Sequence, residues 1–411
     1  MFKKIHEIPL LALVVCAAIL AVGAWSLGAS FLASPIQIGE AYLLPSIAEL
    51  AKDSLFKPLK PLMYALIIMS IGSSIAISRG GLGAKFARVV TFFVSFSLLG
   101  LVIAIVFYNL FSGLNILPDP ASVGAGGGDL KQTPFLKKIY GVFTSELMMS
   151  IYAGVIFGQA LKRLDLGQQA DKISDLFIKG FRQFLQFTIP LAVFGSITLA
   201  LSNKDGVATL AGLAKILPPY ILSMGVIWLA MVGVTTVIQK RGLGFVLRAV
   251  LPQALVAFST SSSIATLPAT RQACDQLGAD ADEATPFYTI GATINMVGTC
   301  IGLLLLSLYT MKAYGLDFGL GDMIVVGLQS MVFATAAAGT PSASIVLLQD
   351  ILVSQGVSAE YATYVTALVI TIDTLILDRL RTVLNTQSDS MSTANGLKLY
   401  YKTPKVLSED T

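Results

Sequence analysis

Long apolar runs recur along the whole chain, and they restrict it to one class of fold. The first run covers residues 8–27, and others cover residues 59–77, 89–111, 184–201 and 216–238. An α-helix of about 20 apolar residues is long enough to cross the hydrocarbon core of a bilayer. Of the 411 residues, 55% are hydrophobic and only 13% are charged, which is too few to cover a soluble protein of this size. The sequence therefore predicts an all-α polytopic membrane protein.

The distribution of lysine and arginine predicts how the spans are oriented. Basic residues cluster before the first span and after the second, fourth and sixth spans, whereas the Gly- and Pro-rich segment 112–134 has few of them. Short cytoplasmic loops carry an excess of basic residues. We therefore expect a multi-pass protein of the cell (inner) membrane with both termini in the cytoplasm. Basic residues spread over short loops also argue against nucleic-acid binding.

Two later apolar segments are interrupted at mid-length by small and polar residues. The first interruption is Ser259 to Pro268, and the second is Thr335 to Ser344. Each is followed by a long helix that carries polar residues. Interrupted segments in corresponding positions of two halves are typical of transporters built from inverted repeats. Backbone that leaves the helix at membrane depth must be covered by protein or line a cavity. We therefore expect two re-entrant hairpins whose tips meet near the membrane midplane.

The last apolar helix carries the strongest functional signal. At about 100° per residue, Asp378, Thr382, Asn385 and Asp389 fall within a narrow arc, with Arg381 at its edge. A charged residue at the bilayer centre costs at least about 2.5 kcal/mol. Several charged residues on one face of a helix therefore predict a solvated or ligand-filled cavity behind that face. The alternative is that Asp378 and Arg381 simply pair with each other at a spacing of three residues.

Three other features of the sequence each allow two interpretations. The serine run could ease helix contacts, or its hydroxyls and free amides could bind a carboxylate. Asn295 could join two helices, or it could mark local unwinding near Gly298 and Thr299 that exposes carbonyls to a cation. Asp373 could pair with a basic or hydroxyl group elsewhere, or it could bind a ligand.

Enzymatic functions fit the sequence poorly. An intramembrane hydrolase built on the serine run would need a base, yet the single histidine is His6 and no lysine lies within the polar motifs of the later helices. The three cysteines are isolated and match no metal-binding spacing. A channel remains an alternative, because polar linings also conduct ions. Saturable uptake with counterflow would distinguish a carrier from a channel.

With these motifs in place, the chain resembles the dicarboxylate/amino acid:cation symporter family, which includes the glutamate transporters. Three stretches carry the resemblance, namely SSSIATLP at 261–268, GATINMVGT at 291–299 and LDRLRT at 377–382 with Asn385 and Asp389. The resemblance implies eight transmembrane helices plus two re-entrant hairpins in a homotrimeric elevator-type transporter. Residues 1–242 would form mainly the scaffold, with the third span joining the transport domain at 243–396, and residues 397–411 a cytoplasmic tail.

The resemblance also implies roles for individual residues. Arg381 would bind the side-chain carboxylate of the substrate with help from Thr299, and Asp378 and Thr382 would bind its ammonium. The remaining implied substrate contacts are Ser262, Ser263, Thr340 and Asn385, with Arg379 in support. The implied sodium ligands are Gly291, Thr293, Asn295, Ala334, Thr335, Ala337, Asn385 and Asp389. The expected substrate is an acidic amino acid, the coupling ion is sodium or else a proton, no other cofactor is implied, and membrane lipid surrounds the protein.

The chain departs from the family pattern at several positions. Val297 stands where the family has an ion-binding aspartate, and a hard cation needs oxygen ligands. We therefore expect fewer coupled ions than usual, or protons in place of some. Leu303 occupies the place of a proton-carrying glutamate of some relatives, Ile264 that of a serine, and Ser342 and Ser344 those of glycines. Asp373 lies one residue earlier than the aspartate usually found near this point.

Overall fold

The structure is a computed structural model that describes residues 10–38, 42–77, 83–113, 140–141, 143–202, 212, 214–335 and 344–402. The helices of the first half are α1 (Leu10–Ser26), α2 (Ile47–Ile77), α3 (Gly83–Leu110), α4 (Glu146–Arg163), α5 (Gly167–Ser202) and α6 (Leu217–Gln239). Those of the second half are α7 (Leu243–Thr260), α8 (Leu267–Gln276), α9 (Ala281–Ile294), α10 (Val297–Ala313), α11 (Leu320–Ala334), α12 (Ser344–Ser354), α13 (Ala359–Ile372) and α14 (Asp378–Lys402). Residues 114–134 of the predicted external loop and residues 336–343 of the second interruption lie outside the described residues.

The length and apolarity of the helices confirm the prediction of a helical membrane protein. Within the described ranges, four helical stretches are long and apolar enough to cross a membrane: Gly83–Leu110, Ala214–Gln239, Leu243–Thr260 and Glu283–Ala313. The third of these is the first arm of the first predicted hairpin. The number of eight spans stays a prediction. The sequence also missed a small antiparallel hairpin of strands β1 (Ile36–Ile38) and β2 (Tyr42–Leu44), which lies between α1 and α2.

Two helices are longer than the apolar runs predicted. Helix α2 begins at Ile47, so Pro58 and Pro61 lie inside it and do not mark its start. Its beginning is fixed by a capping box, in which Ser46 N donates to Glu49 Oε2 (2.8 Å) and Glu49 N donates to Ser46 Oγ (3.1 Å). Helix α5 begins at Gly167, so the predicted cytoplasmic connection around Lys172 and Lys179 is helical. Polar helical turns that continue a span have no apolar signal of their own.

The helices pack in two groups. In the first, α2 packs along α5 and α4, and α1 packs on α5. In the second, α14 lies at the centre and contacts α3, α6, α7, α8, α9 and α10. Helix α13 contacts α5 and thereby joins the two groups. Burial of α14 on nearly all sides explains how a helix of low apolarity lies inside a membrane protein.

The predicted interruptions are present in the first hairpin and in the helix that follows. Residues 261–266 separate α7 from α8, and Ser261 has a left-handed φ of 50°. Asn295 and Met296 separate α9 from α10. The break lies at Asn295, beside Gly298 and Thr299, which are in the first turn of α10. A third irregularity is the π-helical turn Asp373–Leu377, which was not predicted.

Candidate functional site

All the buried charged side chains of the described ranges lie on one short stretch of chain. They are Asp373, Asp378, Arg379, Arg381 and Asp389, in and just after the π turn. When all five are ionised, three carboxylates and two guanidiniums leave a net charge of −1. Burying charge is tolerated only where it is paired, hydrogen-bonded or balanced by a bound ion. The surroundings of each group therefore indicate what the site can bind.

Arg381 lies between two carboxylates. Its Nη1 and Nη2 donate to the two oxygens of Asp373 at 2.5 and 3.0 Å, and Nη2 also donates to Asp378 Oδ1 at 2.8 Å. Tyr220 of α6 completes the cluster, with its hydroxyl 3.3 Å from Nη1. A guanidinium forms its strongest contacts as such a two-pronged fork. Of the two interpretations for Asp373, the structure therefore supports pairing with a basic group, and Asp378 also pairs with Arg381.

The π turn makes this pairing possible. Along a regular α-helix, a separation of eight residues places two side chains about 80° apart around the axis, whereas seven residues place them about 20° apart. The turn Asp373–Leu377 has the wider i to i+5 bonding, with Asp378 N donating to Asp373 O. It absorbs one residue and aligns Asp373 with Arg381. The extra residue of the turn matches in size the one-residue offset of Asp373 that the resemblance implies.

Asn385 holds the break between α9 and α10. Its Oδ1 accepts hydrogen bonds from Gly298 N (2.7 Å) and Thr299 N (3.4 Å), and its Nδ2 donates to Thr299 Oγ1 at 3.0 Å. Gly298 allows this close approach, because a Cβ there would lie 2.7 Å from the carbonyl oxygen of Arg381. The amide of Asn385 thus satisfies free N–H groups at the start of α10, as a cap residue does.

Asp389 is buried and only partly satisfied. Its Oδ1 accepts a hydrogen bond from Asn295 Nδ2 at 2.8 Å, and a Cβ on Gly291 would lie 2.6 Å from that oxygen. Within the described part of the chain, Asp389 Oδ2 has no hydrogen-bond partner and no basic side chain pairs with Asp389. A carboxylate 1% exposed needs a positive partner or a proton. The residues present therefore fit a small cation bound at Asp389.

The tip of the first hairpin lies against α14. Arg379 Nη1 donates to the backbone carbonyls of Phe258 (2.5 Å) and Ser259 (3.1 Å), which anchors the end of α7. The serines that follow are buried, and Ser262 Oγ accepts a hydrogen bond from Ala265 N at 3.3 Å. Ser261 Oγ has no hydrogen-bond partner within the described ranges. The tip therefore retains polar groups that could receive a carboxylate.

Val297 brings an apolar wall to the side of the site that faces α3. It is fully buried, and its Cγ1 lies 3.6 Å from the place where a Cβ on Gly100 would stand. Ile301, one turn later, packs against the same glycine. The isopropyl group offers no oxygen, so the cation site that an aspartate would form here lacks that ligand.

The structure brings together only part of the predicted site. Arg381 and Asp378 are in contact, as are Asn385 with Thr299 and Asn295 with Asp389. The hydroxyls of Thr382, Thr293 and Thr335 bond to carbonyls of their own helices. Ser263 and Ala334 are buried, and Ala337 and Thr340 lie outside the described residues.

Sequence reasoning missed the partners that other helices supply to α14. Tyr220 contacts Arg381, Trp228 Nε1 donates to Gln387 Oε1 at 2.6 Å, and Gln253 donates to the Thr386 carbonyl at 2.6 Å. A signal was present, because these polar residues stand in otherwise apolar helices. The sequence offers no means of pairing them.

Comparison with known proteins gives evidence about function that is independent of the site geometry. The model of the sodium:dicarboxylate symporter family matches residues 8–395. A C4-dicarboxylate transport protein of Sphingopyxis alaskensis is 27% identical over 72% of this chain and 71% of its own length. The serine/threonine transporter SstT of Streptococcus agalactiae is 24% identical over 82% of this chain and 86% of its own.

A shorter match has higher identity. A putative sodium-dependent excitatory amino acid transporter, glt-4 of Caenorhabditis elegans, is 37% identical over 34% of this chain and 27% of its own length. The three relatives differ in the substrates that their names give. The comparisons therefore support transport and leave the substrate to the chemistry of the site.

Proposed function

Because the chain belongs to the sodium:dicarboxylate symporter family, we propose that it is a secondary active transporter that carries acidic amino acids across the cell membrane together with sodium. The family and the relatives are transporters and not enzymes. The chain is an integral membrane protein with a small-molecule substrate. Aspartate or glutamate as that substrate, and the number of coupled ions, are the proposal.

The contact between Arg381 and Asp378 is the observation that carries the choice of substrate. An acidic amino acid has two carboxylates and one ammonium, so its site needs a cation for the side chain and an anion for the amine. Arg381 and Asp378 supply these charges 2.8 Å apart in a buried setting. When the substrate binds, Asp378 turns to the ammonium and frees one N–H of Arg381 Nη2 for the substrate carboxylate, while the other N–H stays on Asp373. A plain dicarboxylate would have no use for Asp378.

The buried charges also indicate how many cations accompany the substrate. The five buried side chains carry a net charge of −1, and an acidic amino acid adds another −1. Charge moved through a low-dielectric interior is costly unless it is neutralised. Two monovalent cations would make the loaded site neutral. One would bind at Asp389 and Asn295, and the other at the backbone near Thr293 and the second hairpin.

The movement that carries the substrate follows from the two helix groups. In the proposal, the group around α2, α4 and α5 is the scaffold of a homotrimer, and the group around α14 is the domain that moves as an elevator. Helix α3 belongs with the moving domain, since it packs on α14. The second hairpin serves as the gate. Both termini lie in the cytoplasm.

A proton-coupled or sodium-independent carrier of amino acids or dicarboxylates is the second candidate. Two observations favour it. Val297 removes a cation ligand, and the free oxygen of Asp389 could hold a proton in place of sodium. In this case Asp389 would be neutral whenever it is loaded, and a pH gradient would drive uptake.

Uptake of radiolabelled aspartate into proteoliposomes tests both candidates. We expect accumulation driven by a sodium gradient, competition by glutamate, and weak competition by succinate and serine. Reversal potentials should give two sodium ions per aspartate, one in Asp389→Asn and three in Val297→Asp. Uptake driven only by a pH gradient would favour the second candidate, and no uptake under either gradient would refute the substrate assignment.

A further inference from the structure

A cavity of about 500 Å³ lies between α13, which joins the two helix groups, and helices α2 and α5 of the first group, away from the site described above. Its walls come from the first turns of α2, the last turns of α5 and residues 359–368 of α13. The lining includes Glu49, Lys52, Ser196, Leu199, Glu360 and Leu368. A volume of roughly 300–1,000 Å³ is typical of sites for small organic ligands.

Ser196 gives independent evidence for a ligand. It is 3% exposed, and its Oγ has no hydrogen-bond partner among the described residues. The other hydroxyl residues of α5 near it behave differently, since Thr188, Thr198 and Ser202 all bond to carbonyls one turn earlier. A buried hydroxyl without a partner is unfavourable. Ser196 lines the cavity, and a rotation about its χ1 angle would bring this unpaired hydroxyl to a molecule bound there.

The charged residues of the cavity lie at one end. Glu49 and Lys52 belong to the first turns of α2, and Glu360 belongs to the first turn of α13. The Glu49 carboxylate accepts both of its hydrogen bonds from Ser46 through Oε2. Lys52 is 3.7 Å from Asp53, but Asp53 pairs more closely with Lys57, at 2.8 Å. Glu49, Glu360 and Lys52 therefore leave a net charge of −1 at this end, which favours a cationic head group.

The opposite end is apolar. Glu360 and Leu368 are separated by eight residues of α13, which is about 12 Å along the helix axis. Leu368 is 1% exposed and Leu199 of α5 completes the apolar end. A ligand that satisfies both ends has a positive head and an apolar body several carbon atoms long.

We propose that this cavity binds an amphipathic amine, with its ammonium between Glu49 and Glu360 and its apolar chain toward Leu199 and Leu368. The amine is either the head group of an ethanolamine lipid or a free long-chain amine. Because the walls belong to α2 and α5 of the first group and to α13, which joins the two groups, the bound molecule impedes the relative movement of the groups; this consequence rests on the transport function proposed above. Occupancy therefore lowers the maximal uptake rate and leaves the KM for substrate unchanged.

Native mass spectrometry of the purified full chain tests the binding. The probes are dodecylamine, an ethanolamine phospholipid and, as the anionic comparison, a phosphatidylglycerol. Glu360→Gln changes an exposed carboxylate and should weaken binding of dodecylamine about fivefold, as expected for a partly exposed ion pair. Adding Ser196→Ala to Glu360→Gln should weaken the binding of dodecylamine further. Asp175→Asn removes an exposed carboxylate of α5 outside the cavity and is the matched control.

The outcomes separate the two sources. Preference for the ethanolamine lipid over phosphatidylglycerol, lost in Glu360→Gln, identifies the lipid as the ligand. Binding of dodecylamine without that lipid preference identifies a free amine. Equal binding by Glu360→Gln and Asp175→Asn would overturn the proposal. So would inhibition by dodecylamine that raises the KM alone, since it would place the amine at the substrate site. The binding result stands even if no uptake is found.

Discussion

Replacing Arg381 by methionine should leave two carboxylates buried without their cation. Asp373 is 0% exposed and Arg381 is 2% exposed, so water cannot replace the lost partner. Removing one member of a buried ion pair costs about 3–5 kcal/mol. We expect Arg381→Met to lower the free energy of unfolding by an amount in this range.

Neutralising Asp373 should then restore part of that loss. In Arg381→Met the carboxylate of Asp373 has lost two bonds, of 2.5 and 3.0 Å, so Asp373→Asn removes a buried charge that no longer has its guanidinium. We expect the double variant to be more stable than Arg381→Met by about 2 kcal/mol, although Asp373→Asn alone destabilises the protein. A gain in stability from Asp373→Asn in the Arg381→Met background is expected only because Asp373 pairs with Arg381 in the original protein.

Unfolding in detergent can be followed through Trp228, which donates a hydrogen bond to Gln387 of α14 and therefore reports on this helix. Arg379→Met is the matched control, because Arg379 donates to backbone carbonyls of the first hairpin. Asp373→Asn should not restore stability to the Arg379→Met variant. A double variant no more stable than Arg381→Met would refute the pairing of Arg381 with Asp373.

Two further predictions concern glycines. Gly195→Ala should destabilise the contact of α5 with α2 by about 1–3 kcal/mol, because its Cβ would lie 2.2 Å from the Ala48 carbonyl oxygen, whereas Gly180→Ala on the same helix meets open space and should stabilise slightly. Thermal unfolding of the two variants side by side checks this, and equal midpoints would contradict it. Gly291→Ala should raise the sodium concentration needed for half-maximal uptake, because its Cβ would lie 2.6 Å from Asp389 Oδ1. An unchanged sodium dependence would mean that no cation binds at Asp389.

Local composition was enough to predict the class of the protein and to single out one region as its candidate site. Apolar runs of membrane length predicted helices, and small polar interruptions predicted the break at 261–266. The high cost of charge inside a membrane singled out the stretch from Asp378 to Asp389 before any contact was known. These features follow from local composition, which a single sequence displays.

Which groups are partners could be seen only in the folded chain. The contact of Arg381 with Asp373 depends on a π turn, and because α14 is buried on nearly all sides it has no apolar stripe whose phase would record the extra residue. Tyr220 and Ser196 matter through what faces them on other helices. Such partners are distant in sequence, and spacing along one helix cannot specify what another helix brings to it.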